Sequence, residues 1–284
     1  MVEASRYAAG GCHGAVAGRP GVEGAEQEIA TRTAQPVLSV VIPTYNERDN
    51  IRALVYRLKR ALAYVPHELI FVDDSTDDTP AIIRQMRAQY SGVRLLCRTG
   101  ERGLATAVLA GFRMARGEFV CVIDADLQHP PELLPAMLEV LARERSDIVV
   151  ASRYVPGGSA AGLQGWWRRC ASLACRWLVH ALFPETRRTT DPLSGYFMFR
   201  RGIAPVDGLA PLGFKILLEL LVRTPYARIQ DVPYIFAPRL HAGSKAGLRP
   251  AIEFLHHLVR LKVHERRSFP PASADAAKQR SLSA

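Results

Sequence analysis

Asp124 and Asp126 stand one residue apart at the end of a short apolar run, Phe119 to Ile123, in the segment FVCVIDADLQHPP. Gln128 and His129 follow, and Pro130 and Pro131 suit the start of a helix. Carboxylates this close repel one another unless a cation or a donor lies between them. The spacing therefore suits a hard divalent ion that ties the pair to substrate phosphates. An Asp-rich turn capping the next helix carries the same signature, so the pair must be judged by the elements that position it.

The run before the pair is β-branched and continuous, as in a central parallel strand buried on both faces. The aspartates then fall just past its carboxyl end, where open α/β sheets bind ligands. The arrangement recurs upstream. LSVVIPTYNERDNI reads as a strand closed at Pro43, a loop Thr44 to Glu47, and an amphipathic helix from about Asn50 to Tyr64. A second strand, Glu68 to Val72, ends in Asp73 and Asp74, and Ser75 to Thr79 caps a helix opened by Pro80. A third, Val93 to Cys97, leads through Gly100 and Gly103 into a helical stretch from Leu104 to Arg116. Such alternation, with short connections, predicts an α/β fold with a mostly parallel sheet. Glu47, Asp73 and the Asp124/Asp126 pair then meet at one edge as a nucleotide pocket. No GxGxxG follows the first strand and no GxxxxGK occurs, which disfavours a dinucleotide dehydrogenase or a P-loop enzyme and leaves the phosphates to a metal.

A fifth strand, Asp147 to Ser152, ends at Arg153 and Tyr154. After it the pattern changes. Across residues 164 to 183, Trp166, Trp167 and Trp177 mix with Leu and Ala, while Arg168, Ser172, Arg176 and His180 recur every fourth residue. Packing on the core is one reading of such a helix. Aromatic bulk flanking arginines also suits a helix lying in a membrane interface, with guanidiniums on phosphate. An Arg–Ser pair one turn apart could grip a lipid phosphate. Further on come Asp191 before Pro192 in a turn, a strand near Tyr196 to Phe199, a helix from about Phe214 to Arg223, and a strand from Ile229 to Arg239. The basic loop RLHAGSKAG, with Arg239, Ser244 and Lys245, has glycines that would let it close over a phosphate-bearing ligand. The last helix, residues 250 to 265, puts Phe254, Leu255, Leu258 and Leu261 toward one side and His257, Arg260 and His264 toward another, where the histidines read as solvated or interfacial.

Composition bounds these readings. A chain of 284 residues, 48% hydrophobic, accommodates one large α/β domain. Residues 1–36, rich in Gly and Ala, read as a flexible extension and 266–284 as a disordered tail, leaving 37–265 as the folded domain. The net charge of +10 draws anions of several kinds. No nucleic-acid motif is present and acidic strand ends oppose a phosphate backbone, so neither a nucleic-acid partner nor a purely anion-binding role is expected. Five cysteines form no CxxC pair, which argues against a disulfide framework or a zinc site and fits a reducing cytoplasm. No window reaches the roughly 18 apolar residues of a spanning helix, so membrane contact is expected to be peripheral.

The order VVIPTYNE, FVDDSTDDT, GLATAVLAGF, DADLQHPPE, SRY, DPLSGYF, GFKILLELLVR and VPYIF followed by Arg and Ser-Lys resembles glycosyltransferase family 2, and within it the polyprenyl-phosphate (dolichyl-phosphate) mannose synthases. The resemblance spans about Leu38 to Leu261. It implies a GT-A, Rossmann-like fold and inverting, metal-dependent transfer of mannose from GDP-mannose to a polyprenyl phosphate. It implies Mg²⁺ or Mn²⁺, with Asp124, Asp126 and Gln128 around the metal. Pro43, Tyr45, Glu47 and Asp73 would line the donor pocket, and Arg239 and Lys245 would close on the diphosphate. Arg153, Arg168 and Ser172 would hold the acceptor phosphate. Transfer of glucose or another sugar to the same lipid class is the alternative. The enzyme is expected to be peripheral on the cytoplasmic face of the membrane, held by its amphipathic segments or by an anchoring partner protein.

Overall fold

Apolar runs of four to seven residues become seven strands: β1 (Leu38–Thr44), β2 (His67–Asp73), β3 (Val93–Cys97), β4 (Phe119–Val122), β5 (Ile148–Ser152), β6 (Phe197–Arg200) and β7 (Ile229–Pro233). The computed structural model describes residues 35–100, 102–163, 165–204, 206–209, 215–237 and 248–265. The assignments to residues 1–34 and 266–284, and the basic loop with Arg239, Ser244 and Lys245, lie outside the described residues. One sheet runs in the order β3-β2-β1-β4-β6-β5-β7. Neighbouring strands are parallel except β6, which is antiparallel to both β4 and β5. The mostly parallel sheet is as expected. The inserted β6 is not visible in a strand–helix alternation.

Helices α1 (Arg48–Ala61), α2 (Thr79–Gln89) and α4 (Leu134–Arg143) join one apolar layer, with Ile51, Leu54, Ile83, Met137 and Leu141 buried against the sheet. On the other face, α3 (Leu104–Met114) and α6 (Ile216–Arg223) bury Val108, Phe112, Leu217 and Leu221. A third cluster joins α5 (Trp166–Leu182) and α7 (Leu248–Glu265) to α6 through Val179, Phe183, Leu218, Phe254, Leu258 and Leu261. Each fully buried Leu or Phe contributes about 1.5–3 kcal/mol over its exposed form. Helix α3 lies so close to β1 that a Cβ on Gly111 would meet Val41 Cγ1 at 2.3 Å, so the glycine permits the contact.

The segment Ser75 to Thr79 closes the start of α2 as expected: Asp77 accepts the Thr79 N–H at 3.0 Å and its hydroxyl at 2.6 Å, while Ser75 bonds Asp73. Two expectations need correction. Among the described residues the last strand stops at Pro233, which lacks an N–H for the ladder, and the chain beyond it continues as the Ser159–Ile235 bridge. In α7, His257 is buried rather than solvated, 3.6 Å from Glu219, because residues 254, 257, 258 and 261 share one helical face. Leu255 falls off that face and is exposed.

At the edge remote from Asp124 a polar knot fastens the first three strands. Glu68 accepts the Ser39 hydroxyl at 2.7 Å, Arg94 at 2.7 Å and the Arg116 N–H at 2.8 Å. Burial pushes the Glu68 carboxyl up, but these donors outweigh it and hold the group below its ordinary 4.5. A carboxyl with a depressed folded value adds stability above its unfolded value and loses it as pH falls through the folded one. Glu68→Gln is expected to cost about 1–3 kcal/mol at pH 7, and urea titrations should show the gap to wild type narrowing toward pH 3. A gap that does not change with pH would sink this account.

Candidate active site

The loops after β1 and β2 are tied to each other before they meet any ligand. Thr44 pairs with Asp73 in register. Asp73 is buried and accepts the Thr44 hydroxyl at 2.6 Å and the Ser75 hydroxyl at 2.7 Å. Asn46, held at φ 58°, takes the Thr76 N–H at 2.9 Å and gives its own N–H to Ser75 at 2.8 Å. Glu47 gives its N–H to Thr79 at 3.0 Å and accepts Asn50 at 2.7 Å. Pro43 is buried at the end of β1, Tyr45 is exposed, and Glu47 is half-buried. Next to them, Asp74 ion-pairs with Arg98 and accepts the Gly103 N–H at 3.1 Å, which fixes the entry to α3.

Because β4 lies beside β1, with Val122 opposite Val41, the DADLQH loop emerges at the same edge. Its turn is built locally: Asp126 Oδ1 accepts the Gln128 N–H at 3.1 Å, and Leu127 sits at φ 62°. Asp126 and Gln128 are buried, whereas the Asp124 side chain stays 38% exposed. The Gln128 amide donates to Ala237 O at 2.8 Å, and Ala237 N–H returns to Gln128 O at 3.1 Å. That pair of bonds fixes the chain two residues before Arg239. His129 packs among Tyr196, Tyr234 and Phe236, and burial pushes its imidazole down to about 4 against the pull of Asp126. It is therefore neutral at pH 7, and its Nδ1 accepts the Asp124 N–H at 3.4 Å.

On the far side of Asp124 opens a cavity of about 150 Å³, lined by Asp124, His129, Arg153, Ser194, Lys215 and Tyr234 among others. It does not include Tyr45, Glu47, Asp73, Asp126, Gln128, Arg168 or Ser172. Of the expected acceptor residues, only Arg153 reaches it. Asp191 holds the Arg153 guanidinium through Nε at 2.7 Å and NH2 at 2.8 Å. Burial opposes the guanidinium's charge, but the Asp191 carboxylate more than restores it. Gly195 gives this wall its closeness, since a Cβ there would lie 3.3 Å from Asp124 Oδ2 and 3.4 Å from His129 Cε1. Asp191 and Lys215 are the residues that sequence reasoning missed. Asp191 reads as an ordinary turn residue before proline. Lys215 is a single cation heading the apolar stretch ILLELL, and that isolation was its signal. Its ammonium donates to Leu193 O at 3.0 Å, and burial together with Arg153 pushes it down to about 8.

Helix α5 turns its polar stripe toward the protein. Ser172 Oγ lies 2.8 Å from the Tyr154 hydroxyl, and the Arg176 guanidinium sits 4.6 Å from the centre of the Tyr154 ring and reaches Thr190 O at 3.3 Å. His180 bonds Thr186 at 3.1 Å. The reading that set every arginine of the stripe against headgroups is thus corrected for Arg176, which is spent inside; Arg168 instead lies against the Trp167 ring. Val179 is the helix's one fully buried residue, while Trp166 is 79%, Trp167 55% and Trp177 75% exposed. Leu255, Val259 and Val263 on α7 are exposed as well. Lys262 of α7 bonds Leu182 O at 2.8 Å, which joins the two helices. Among the described residues no helix is long and apolar enough to cross a membrane.

Residues 39–204 match the family described as Glycosyl transferase family 2. The chain is 38% identical over 231 residues to the dolichol-phosphate mannosyltransferase of Pyrococcus furiosus, a match that covers 80% of this chain and 64% of that protein, just under two thirds of its length. It is 36% identical over 241 residues to the protein of that name from Saccharomyces cerevisiae, covering 79% of this chain and 86% of the relative. Among solved structures, glucosyl-3-phosphoglycerate synthase from Mycobacterium tuberculosis, in complex with Mn²⁺, UDP and glucosyl-3-phosphoglycerate, superposes with a TM-score of 0.58 over 90% of this chain and 88% of that one. The same synthase with Mg²⁺ and UDP gives 0.56 over 89% and 86%. At 23% identity these structures speak for a shared GT-A fold alone. By a family match over more than half its length and by relatives well above 30% identity, the chain belongs to glycosyl transferase family 2.

Proposed function

We propose that the protein transfers mannose from GDP-mannose to a polyprenyl phosphate of the dolichyl class, while seated on the cytoplasmic face of a membrane. The observation that carries the reading is a cavity lined by Asp124, Arg153 and Lys215, in a protein whose helix α5 shows three tryptophans to the outside. The names of the relatives supply the sugar and the lipid class. Surface-exposed free Cys97 and Cys170 suit a reducing compartment.

A lipid phosphate is already anionic at neutral pH, its second pKa being about 6. One of its oxygens attacks the anomeric carbon, the bond from that carbon to the GDP oxygen breaks, and the electron pair leaves with GDP. No proton has to be removed from the nucleophile, in keeping with a His129 that is neutral and turned to backbone. Attack opposite the leaving group inverts the anomeric centre. Pro43, Tyr45, Glu47 and Asp73 form the donor edge, where Asp73 is pre-bonded by Thr44 and Ser75 and so costs little reorganisation. Among the described residues no three His, Cys, Asp or Glu gather as a metal cage. Two carboxylates with a diphosphate completing the shell match the way Mg²⁺-like ions are held. Asp124, Asp126 and Gln128 would hold such an ion, whose contribution when bound is to neutralise the departing diphosphate. Arg239 and Lys245 would add positive charge to the same group. On the acceptor side, Arg168, Ser172 and Arg153 mark a path from α5 to the cavity.

The outward faces of α5 and α7 rest in the headgroup layer. With Ser172 and Arg176 bonded inward, α5 presents tryptophan rings to the interface.

Three measurements test this reading. Labelled GDP-mannose and UDP-glucose are each incubated with polyprenyl phosphate and Mg²⁺ or Mn²⁺. Label is expected in the organic phase from GDP-mannose, and label from UDP-glucose alone would replace the donor assignment. Asp126→Asn keeps an acceptor for the Gln128 N–H but lowers the charge, and should cut turnover about 10²- to 10³-fold with circular dichroism unchanged. Wild-type turnover in that variant would remove Asp126 from the site. Replacing Trp166 and Trp177 together by Ser should weaken flotation with phospholipid vesicles about tenfold or more while GDP binding persists; undiminished flotation would count against the interfacial seat.

A further inference from the structure

Helix α5 has no acid in its first turn, where Arg168 and Arg169 stand although the helix dipole disfavours cations there. Local stability does not account for them. Arg168 lies against the Trp167 ring. Arg169 is exposed on the tryptophan face, one turn before Leu173 and two before Trp177. Its guanidinium donates to backbone, to Leu163 O and Ala161 O at 3.4 Å each. Past the other end of the helix, Arg187 donates to His180 O at 2.9 Å and Arg188 to Ala227 O at 3.5 Å, and both are exposed. Among the described residues no carboxylate pairs with Arg169, Arg187 or Arg188, so backbone carbonyls hold these cations in place without neutralising them. From Ala161 to Thr190 the chain sets Arg168, Arg169, Arg176, Arg187 and Arg188 against Glu185 alone. The His180 imidazole registers the resulting field: burial, then Arg176 and Arg187, push it below 6.5.

Along α5, between these basic ends, Trp166, Leu173, Trp177 and Leu178 are exposed. An apolar band flanked by unneutralised arginines complements a bilayer whose headgroups carry net negative charge. A zwitterionic surface would take up the rings and leave the guanidiniums without a counter-charge. We propose that this face selects acidic phospholipid, with Arg169, Arg187 and Arg188 on anionic headgroups and the tryptophan rings seated among the lipids. The proposal rests on the interfacial seat given under the proposed function and adds the charge of the membrane to it. Each arginine near such a surface strengthens binding about fivefold, and the gain fades as salt shortens the reach of charge.

The test floats the full-length protein with vesicles of phosphatidylcholine and with vesicles of an equal mixture of phosphatidylcholine and phosphatidylglycerol, at low and at high NaCl. Wild type should bind the mixed vesicles at least about tenfold more tightly, and high salt should erase the difference. Replacing Arg169, Arg187 and Arg188 together by Gln should remove most of that preference and leave binding to phosphatidylcholine unchanged, while Lys at the same three positions should retain it. Because Arg187 also holds a carbonyl of α5, Arg169→Gln is measured alone, with a loss of about fivefold expected on mixed vesicles. A charge-matched control, Gln at the exposed Arg52, Arg84 and Arg87 of α1 and α2, should keep the preference. Equal binding of wild type to both vesicles overturns the proposal and leaves the seat, whereas binding to neither overturns both. No loss in Arg169→Gln, or an equal loss in the control and the triple variant, also overturns it, since the preference would then belong to the charge of the whole chain. Mixed vesicles bound as tightly after Trp166→Ser with Trp177→Ser as by wild type would remove the seat and leave the selectivity.

Discussion

The Arg153–Asp191 ion pair is the constraint on which the site side of this protein depends. Arg153 follows the last residue of β5 and Asp191 begins the turn that leads to β6, so the pair fastens two segments 38 positions apart at the same sheet edge. The turn is held from its other side by Asp231 of β7, which accepts both Thr189 and Thr190. Removing either partner of a buried pair leaves an uncompensated charge and costs about 3–5 kcal/mol. Helix α5 is attached through the same region, by way of Tyr154 and Thr190. The cavity, the inserted strand and the outward helix thus share one anchor.

Much of the fold was legible because buried parallel strands advertise themselves. Val40 to Ile42, Leu69 to Val72 and Phe119 to Val122 are uninterrupted apolar runs, and each ends in the polar residues that form the edge. The position of β6 was not legible, because pairing with strands as distant in sequence as Val150 from Phe197 and Val122 from Phe197 leaves no local pattern. The phase of α7 failed by one position: counting Leu255 as inward placed His257 outside, whereas the helix turns His257 onto Glu219.

At the site, residue types could be read but not their employment. Asp124 and Asp126 were found by spacing, yet nothing in the spacing says that Asp124 faces the cavity while Asp126 is buried in its own turn. A four-residue period of Arg168, Ser172, Arg176 and His180 establishes a stripe and not the direction in which it faces. The structure supplies the direction, which is inward for the last three. Asp191 and Lys215 gain their meaning only from neighbours distant in sequence.

The manner in which α5 is attached has a mechanical consequence. Its outer face carries the tryptophans, its inner face ends on the Tyr154 hydroxyl through Ser172, and Tyr154 is the peptide neighbour of Arg153. Helix and cavity are therefore coupled in series, like links of a short linkage. Tilting the helix displaces Ser172, then Tyr154, then the wall of the cavity. Substitutions on the outer face and in the cavity share intermediate partners, so their effects are coupled rather than additive.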